Sequence, residues 1–220
     1  MPRLLVTLLA LLAVAPATAG AAIVELGVLP PDGADFGDTH GVVGRLTGAY
    51  GAPVAGRQVL LQARRHPYRG RFLDLDTATT GLDGRFAFER AFDRNHQVRV
   101  LAPALGDSSA VQRVYVFPRS NLTFRLVRRN VIRVTQVYAT PRDVRLTKPT
   151  FFYLGRRGTR TAPLVARART RRVRRGRFIA RAQVRIPKAW DGRFRYASCF
   201  PYNAGMGDPK IGCPRKRYRF

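Results

Sequence analysis

From Gly41 onward the chain is written in short apolar or alternating runs, cut by turn signals at intervals of about ten residues. No stripe at the 3.6-residue period of a major helix is sustained anywhere in it. Such runs satisfy their backbone only by pairing with one another. In the first stretch the expected strands are Val42 to Thr47, Gln58 to Ala63, Arg71 to Thr77, Arg85 to Phe88, Gln97 to Leu101 and Val111 to Phe117. Gly51-Ala52-Pro53, Gly81-Leu82-Asp83-Gly84 and Gly106-Asp107 stand between them. The same grammar returns at Thr123 to Val127, Val131 to Tyr138, Thr150 to Leu154, Leu164 to Arg171, Arg177 to Ile186 and Arg193 to Ser198. An all-β chain of two sandwich domains in tandem, over 41–118 and 121–220, is the architecture this pattern predicts. Asp191-Gly192-Arg193-Phe194 echoes Asp83-Gly84-Arg85-Phe86, as a diverged duplicate would.

Charge is distributed unevenly between these stretches. Residues 121–220 hold 27 Lys and Arg against 3 acids, Asp143, Asp191 and Asp208, out of 40 and 13 in the whole chain. Net charge speaks to partners and solubility rather than architecture, so the imbalance points to a polyanion. A coding bias toward arginine does not also delete acids. With 45% hydrophobic and 10% aromatic residues, the chain has too much core material for a disordered polycation.

Residues 1–21 read as a secretory signal peptide: a charged start at Arg3, an apolar run from Leu4 to Ala15, then Pro16 and the small residues Ala17 to Ala22. That run is too short to cross roughly 30 Å of hydrocarbon, so the mature chain is expected to carry no transmembrane segment. Residues 22–40, with Pro30, Pro31, Asp32, Gly33, Asp35, Gly37 and Asp38, read as a linker. In an exported chain Cys199 and Cys213 are expected to form a disulfide. The expected location is extracellular, in or on the cell wall.

The run from Gly44 to Leu61, then Thr79 to Phe88 and Val98-Arg99-Val100, resembles the carboxypeptidase regulatory-like domain, an immunoglobulin-like or transthyretin-like β-sandwich, over about residues 41–118. The resemblance implies a scaffold or adhesive module and brings no catalytic residues. In this reading Pro53 and Gly56 turn the chain between strands, and Asp83-Gly84 supplies a tight hairpin before inward-facing Phe86 and Phe88.

The stretch from Leu164 to Ile186 carries the candidate binding surface. Arg167, Arg169 and Arg171 alternate with small residues in one limb, and Arg177, Arg181 and Arg185 in the next, with a turn at Arg172 to Gly176 between. Period two puts alternate residues on one face, so a hairpin of these limbs would align all six. Guanidinium groups grip phosphate and carboxylate in bidentate fashion. The interleaved aromatics Phe151, Phe152, Tyr153 and Phe178 are expected in the core.

Enzyme chemistry finds little support. Gly106-Asp107-Ser108-Ser109 lacks the strand-turn-helix setting of a nucleophile elbow. The pair Asp74 and Asp76 reads as a wet strand face, and Asp32, Asp35 and Asp38 as linker acids rather than metal ligands. No cofactor and no metal site are expected. The sequence thus suggests a secreted, non-enzymatic bacterial envelope protein whose second half binds an anionic surface polymer. The alternative is a structural envelope component engaging an acidic partner protein, and nucleic acid is the less favoured ligand.

Overall fold

The computed structural model describes residues 22–190, 193–203, 205–210 and 213–219. The signal segment 1–21 and the Asp191-Gly192 echo lie outside them. In the first half the strands are β1 (Ile23–Leu29), β2 (Ala34–Asp35), β3 (Thr39–Thr47), β4 (Gln58–Arg65), β5 (Leu73–Thr79), β6 (Arg85–Ala91), β7 (His96–Ala102), β8 (Asp107–Ser108), β9 (Gln112–Val114) and β10 (Val116–Phe117). The second half adds β11 (Arg119–Arg128), β12 (Val131–Ala139), β13 (Thr150–Arg156), β14 (Thr161–Ala168), β15 (Arg171–Arg174), β16 (Arg177–Arg185), β17 (Phe194–Cys199) and β18 (Arg217–Arg219). The fold is all-β and sandwich-like.

Sheet β1-β3-β6 packs on sheet β5-β4-β7-β8, which β9 extends by pairing with β7. Alternation decides what faces inward: Val42 and Leu46 of β3 and Phe86 and Phe88 of β6 meet Val59 and Leu61 of β4 and Val98 and Val100 of β7, all buried. Each such side chain contributes roughly 1.5–3 kcal/mol by leaving water. Gly44 shares the inward side of β3 because Phe86 needs the room: a Cβ there would lie 2.4 Å from the Phe86 ring and 2.2 Å from the Glu25 carbonyl oxygen.

Two local expectations change here. Residues 22–40 are not a linker: β1 pairs along its whole length with β3, from Ile23 opposite Thr47 to Leu29 opposite Gly41, and β2 pairs in parallel with β10. Val24, Leu26 and Val28 supply an apolar face for the core, and Pro30 to Gly33 turn the chain back toward β3. The turn Gly81 to Gly84 is not a hairpin within one sheet either. It carries the chain across from β5 to β6, which lie in different sheets, and Gly84 takes φ 77° beneath the Leu46 carbonyl.

In the second half, sheet β11-β12-β16-β15 faces sheet β17-β13-β14-β18. Ile132, Val134, Ala180 and Val184 of the first meet Phe152, Leu154 and Ala168 of the second. Strand β13 is buried on both sides, because the Cys199–Cys213 disulfide and the stretch from Pro214 to Tyr218 cover its outer face. There Phe151 and Tyr153 pack with Cys199, Cys213 and Tyr218, and the Tyr153 hydroxyl donates to the Pro214 carbonyl at 2.5 Å.

The two halves share one apolar cluster. Tyr138, Val144, Leu146, Phe178 and Met206 join the first core. Asn95, fully buried, ties the late segment in: its Nδ2 donates to the Gly207 carbonyl at 2.6 Å, its N–H to the Gly205 carbonyl, and its Oδ1 accepts from Val116. Arg94 and Arg65 of the first half both reach Asp143 of the second, at 2.6 and 3.1 Å.

Candidate anion-binding face

The two limbs of the expected arginine hairpin do not pair. Strand β14 joins β13 and β18, whereas β16 joins β12 and β15 in the opposite sheet. The cause lies at Thr170, which is buried with its hydroxyl 3.2 Å from that of Thr150, so the chain passes through the interior between sheets after Arg169. Arg172 to Arg174, expected within the turn, instead join Arg171 to form β15, and Gly176 at φ 71° makes the reversal into β16.

The six candidates therefore separate. Arg167 lies on the other sheet with its guanidinium 4.8 Å from the Phe151 ring centroid, and Arg169 stands in the crossover. Arg171, Arg177, Arg181 and Arg185 share one solvent face of sheet β11-β12-β16-β15.

That face carries more cations than β16 alone supplies. Because residues opposite one another point the same way, the register arranges it in five rows. Arg128, Val131 and Arg185 form the first, and Arg125, Arg133 and Gln183 the second. Thr123, Thr135 and Arg181 make the third; Asn121, Val137, Ile179 and Arg171 the fourth; Arg119, Ala139, Arg177 and Arg174 the last. Rows are spaced by about 6.6–7 Å along the strands. Nine arginines and no acid occupy these rows.

Arg125 and Arg133 escaped the sequence reading because each is the single arginine of its expected strand, Thr123 to Val127 and Val131 to Tyr138. The usable signal was the alternation of Asn121, Thr123 and Arg125 beside Arg133 and Thr135, polar residues in step on adjacent strands.

Neutralising partners are absent from most of the face. Among the described residues the ion pair that reaches it is Arg119 with Asp38, at one corner. Asp143 is drawn away into the joint: desolvation works to raise its pKa, but the Arg94 hydrogen bond and the charges of Arg94 and Arg65 hold the carboxyl below its usual range. Asp208 accepts from the Lys210 N–H instead. Arg125 and Arg133 stand directly opposite each other, as do Arg174 and Arg177. Like charges so placed destabilise a sheet until an anion bridges them.

The other candidate chemistry dissolves into structure. The Ser109 hydroxyl accepts from Val100 N–H and donates to the Ala110 carbonyl. Asp74 accepts from Gln62, and Asp76 from the Thr77 N–H. Phe152, Tyr153 and Phe178 are buried, as expected of core aromatics.

No protein-family model matches the chain, and no curated protein matches it. Among solved structures it is similar to a mutant of Salmonella alpha-2-macroglobulin, at 11% identity and TM-score 0.36, over 75% of this chain and 14% of that one. The methylamine-reacted form of Salmonella alpha-2-macroglobulin matches at 10% identity and TM-score 0.35, over 90% of this chain and 16% of that one. Yersinia pseudotuberculosis adhesin InvE matches at 13% identity and TM-score 0.34, over 81% of this chain and 59% of that one. The chain thus spans from 14% to 59% of the length of these structures. Similarity this low is uninformative about function.

Proposed function

We propose that the outer face of sheet β11-β12-β16-β15 is the receiving surface for an extended anionic polymer of the cell envelope, and that the protein is a non-enzymatic, exported binding component. The observation that carries this reading is the set of arginine rows with like-charge pairs directly opposite and no acid among them. A chain of carboxylates or phosphates laid across the rows would relieve that repulsion and take bidentate hydrogen bonds from each guanidinium. The neutral residues between, Thr123, Thr135, Asn121 and Gln183, add donors suited to hydroxyl groups.

In the same proposal residues 41–118 keep the role implied by the carboxypeptidase regulatory-like resemblance, a rigid scaffold that holds the face outward. The disulfide accords with an oxidising compartment. Among the described residues no helix is long and apolar enough to cross a membrane.

Retention on an immobilised acidic wall polymer should fall steeply with salt. On the scale set by phosphate polymers, six or more neutralised charges cost about a thousandfold in affinity between 50 and 200 mM. Retention that stays level across that range refutes the proposal.

A further inference from the structure

A separate feature sits at the end of this sheet. Strands β11 and β12 meet in the tight loop Arg129-Asn130, where Asn130 takes φ 60°, a conformation asparagine tolerates. A β-bulge at the tip disturbs the pairing between Leu126 and Arg128. Leu126 is 64% exposed, Val127 43% and Phe124 46%, and the Phe124 ring lies 5.0 Å from that of Tyr196. Large apolar side chains thus line the end of an edge strand: Phe124 lies against the rings of Phe194 and Tyr196, while Leu126 and Val127 stay open to solvent.

Cations lie beside them, on the outer face and loop of the same hairpin. Arg125, Arg128 and Arg129 lie on the same hairpin, and a recess of about 420 Å³ opens beside it, lined by Arg128, Arg129, Arg185 and Lys188 over Val131 and Pro187. No acid lines that recess.

We infer that the β11–β12 tip docks on an anionic lipid bilayer, with Leu126 and Val127 entering the interface and the recess taking a headgroup phosphate. The shape selects this occupant. A soluble polyanion has no use for exposed leucine and valine, and a folded protein partner would offer a pocket to a tip but meet four clustered cations with equal numbers of acids. A bilayer offers both at once: hydrocarbon just below a layer of negative charge. Arginine stems can lie along apolar surface while their heads stay at headgroup level. This site adjoins the flat polymer face and shares its first row, Arg128, Val131 and Arg185, with it.

Sedimentation of the full mature chain with phosphatidylglycerol/phosphatidylcholine vesicles tests it, beside pure phosphatidylcholine vesicles and soluble polyphosphate. The expected result is binding to the mixed vesicles and little to the neutral ones. Leu126→Ser with Val127→Ser should weaken vesicle binding by about tenfold and leave polyphosphate binding unchanged. Arg128→Gln with Arg129→Gln should weaken it by about twenty-five-fold, near fivefold for each charge. A Leu126→Trp reporter should shift to the blue and be quenched by spin-labelled lipid. These positions are exposed, and an unchanged thermal transition confirms that each variant is folded.

Equal vesicle binding by the wild type and the double serine variant overturns the inference, as does equal binding to neutral vesicles. Failure of the polymer reading looks different: Arg133→Glu with Arg181→Glu would then leave polyphosphate binding intact, whatever the tip does.

Discussion

Two arginine pairs in this molecule occupy equivalent positions and live in opposite surroundings. Arg45 and Arg85 stand opposite each other on β3 and β6, and Asp83 serves both: its carbonyl accepts from Arg45 Nε at 3.0 Å and its carboxylate lies 3.4 Å from Arg85 Nε. Arg125 and Arg133 stand opposite each other on β11 and β12, with Gln183 as the next residue in the row. The first pair is settled within the fold. The second has no acid in its row, and the difference lies in where acids were placed rather than where arginines were. Counting cations alone would not have distinguished the two pairs.

The comparison can be broken most sharply by charge reversal. Arg133→Glu with Arg181→Glu should lower affinity for an acidic wall polymer by about a hundredfold at 50 mM salt, whereas Arg45→Glu with Arg85→Glu should leave it within error of wild type. Equal losses in a retention assay would mean that the polymer responds to net charge alone.

Next in size is the disulfide, whose partners lie 14 residues apart. Cys199→Ser with Cys213→Ser should cost about 3 kcal/mol in chemical denaturation. Since the bridged cysteines themselves pack on Phe151 and Tyr153, amide exchange should rise first in β13.

A smaller effect separates the halves by pH. All three histidines, His40, His66 and His96, belong to the first half, and burial pushes each pKa below the usual value of 6.5. The unfolded chain therefore binds more protons than the folded one between the lowered pKa values and 6.5, and stability falls as pH drops through that window. Denaturation midpoints at pH 7.5 and 5.5 should show the loss, with first-half probes reporting it. A flat profile would contradict neutral, buried histidines.

The smallest prediction is a gain. Arg133→Thr removes one of two facing like charges and should stabilise the unliganded protein by about 0.2–1 kcal/mol. Arg85→Thr, which gives up an ion pair with Asp83, should not. Thermal shifts in low-salt buffer measure both.

Local pattern made much of this legible. The alternation that buries Val42, Val59, Phe86, Phe88 and Val98 is readable from period two alone, and the cysteine pair is expected from two thiols in a chain read as exported. Pairing is different, because it is settled by packing between distant segments. Arg177 to Arg185 finds β12, from Ala139 opposite Arg177 to Val131 opposite Arg185, instead of the limb just before it. Buried Thr170 decides that, and a threonine between arginines gives no hint of its destination. Strand β1 was hidden for a similar reason: its partner lies beyond Pro30 and Pro31, and such punctuation looks like a linker until the returning strand is known.

The late segment around Met206 has a consequence for synthesis. Gly205 and Gly207 accept the buried bonds of Asn95, and Met206 is walled into the apolar cluster of the first half. A ribosome delivers these residues long after Asn95. The portion made earlier must therefore wait, with Asn95 and its neighbours open to water or to a chaperone, until Gly205 to Gly207 have emerged as well. A product terminated before Gly205 would leave the first core unsealed.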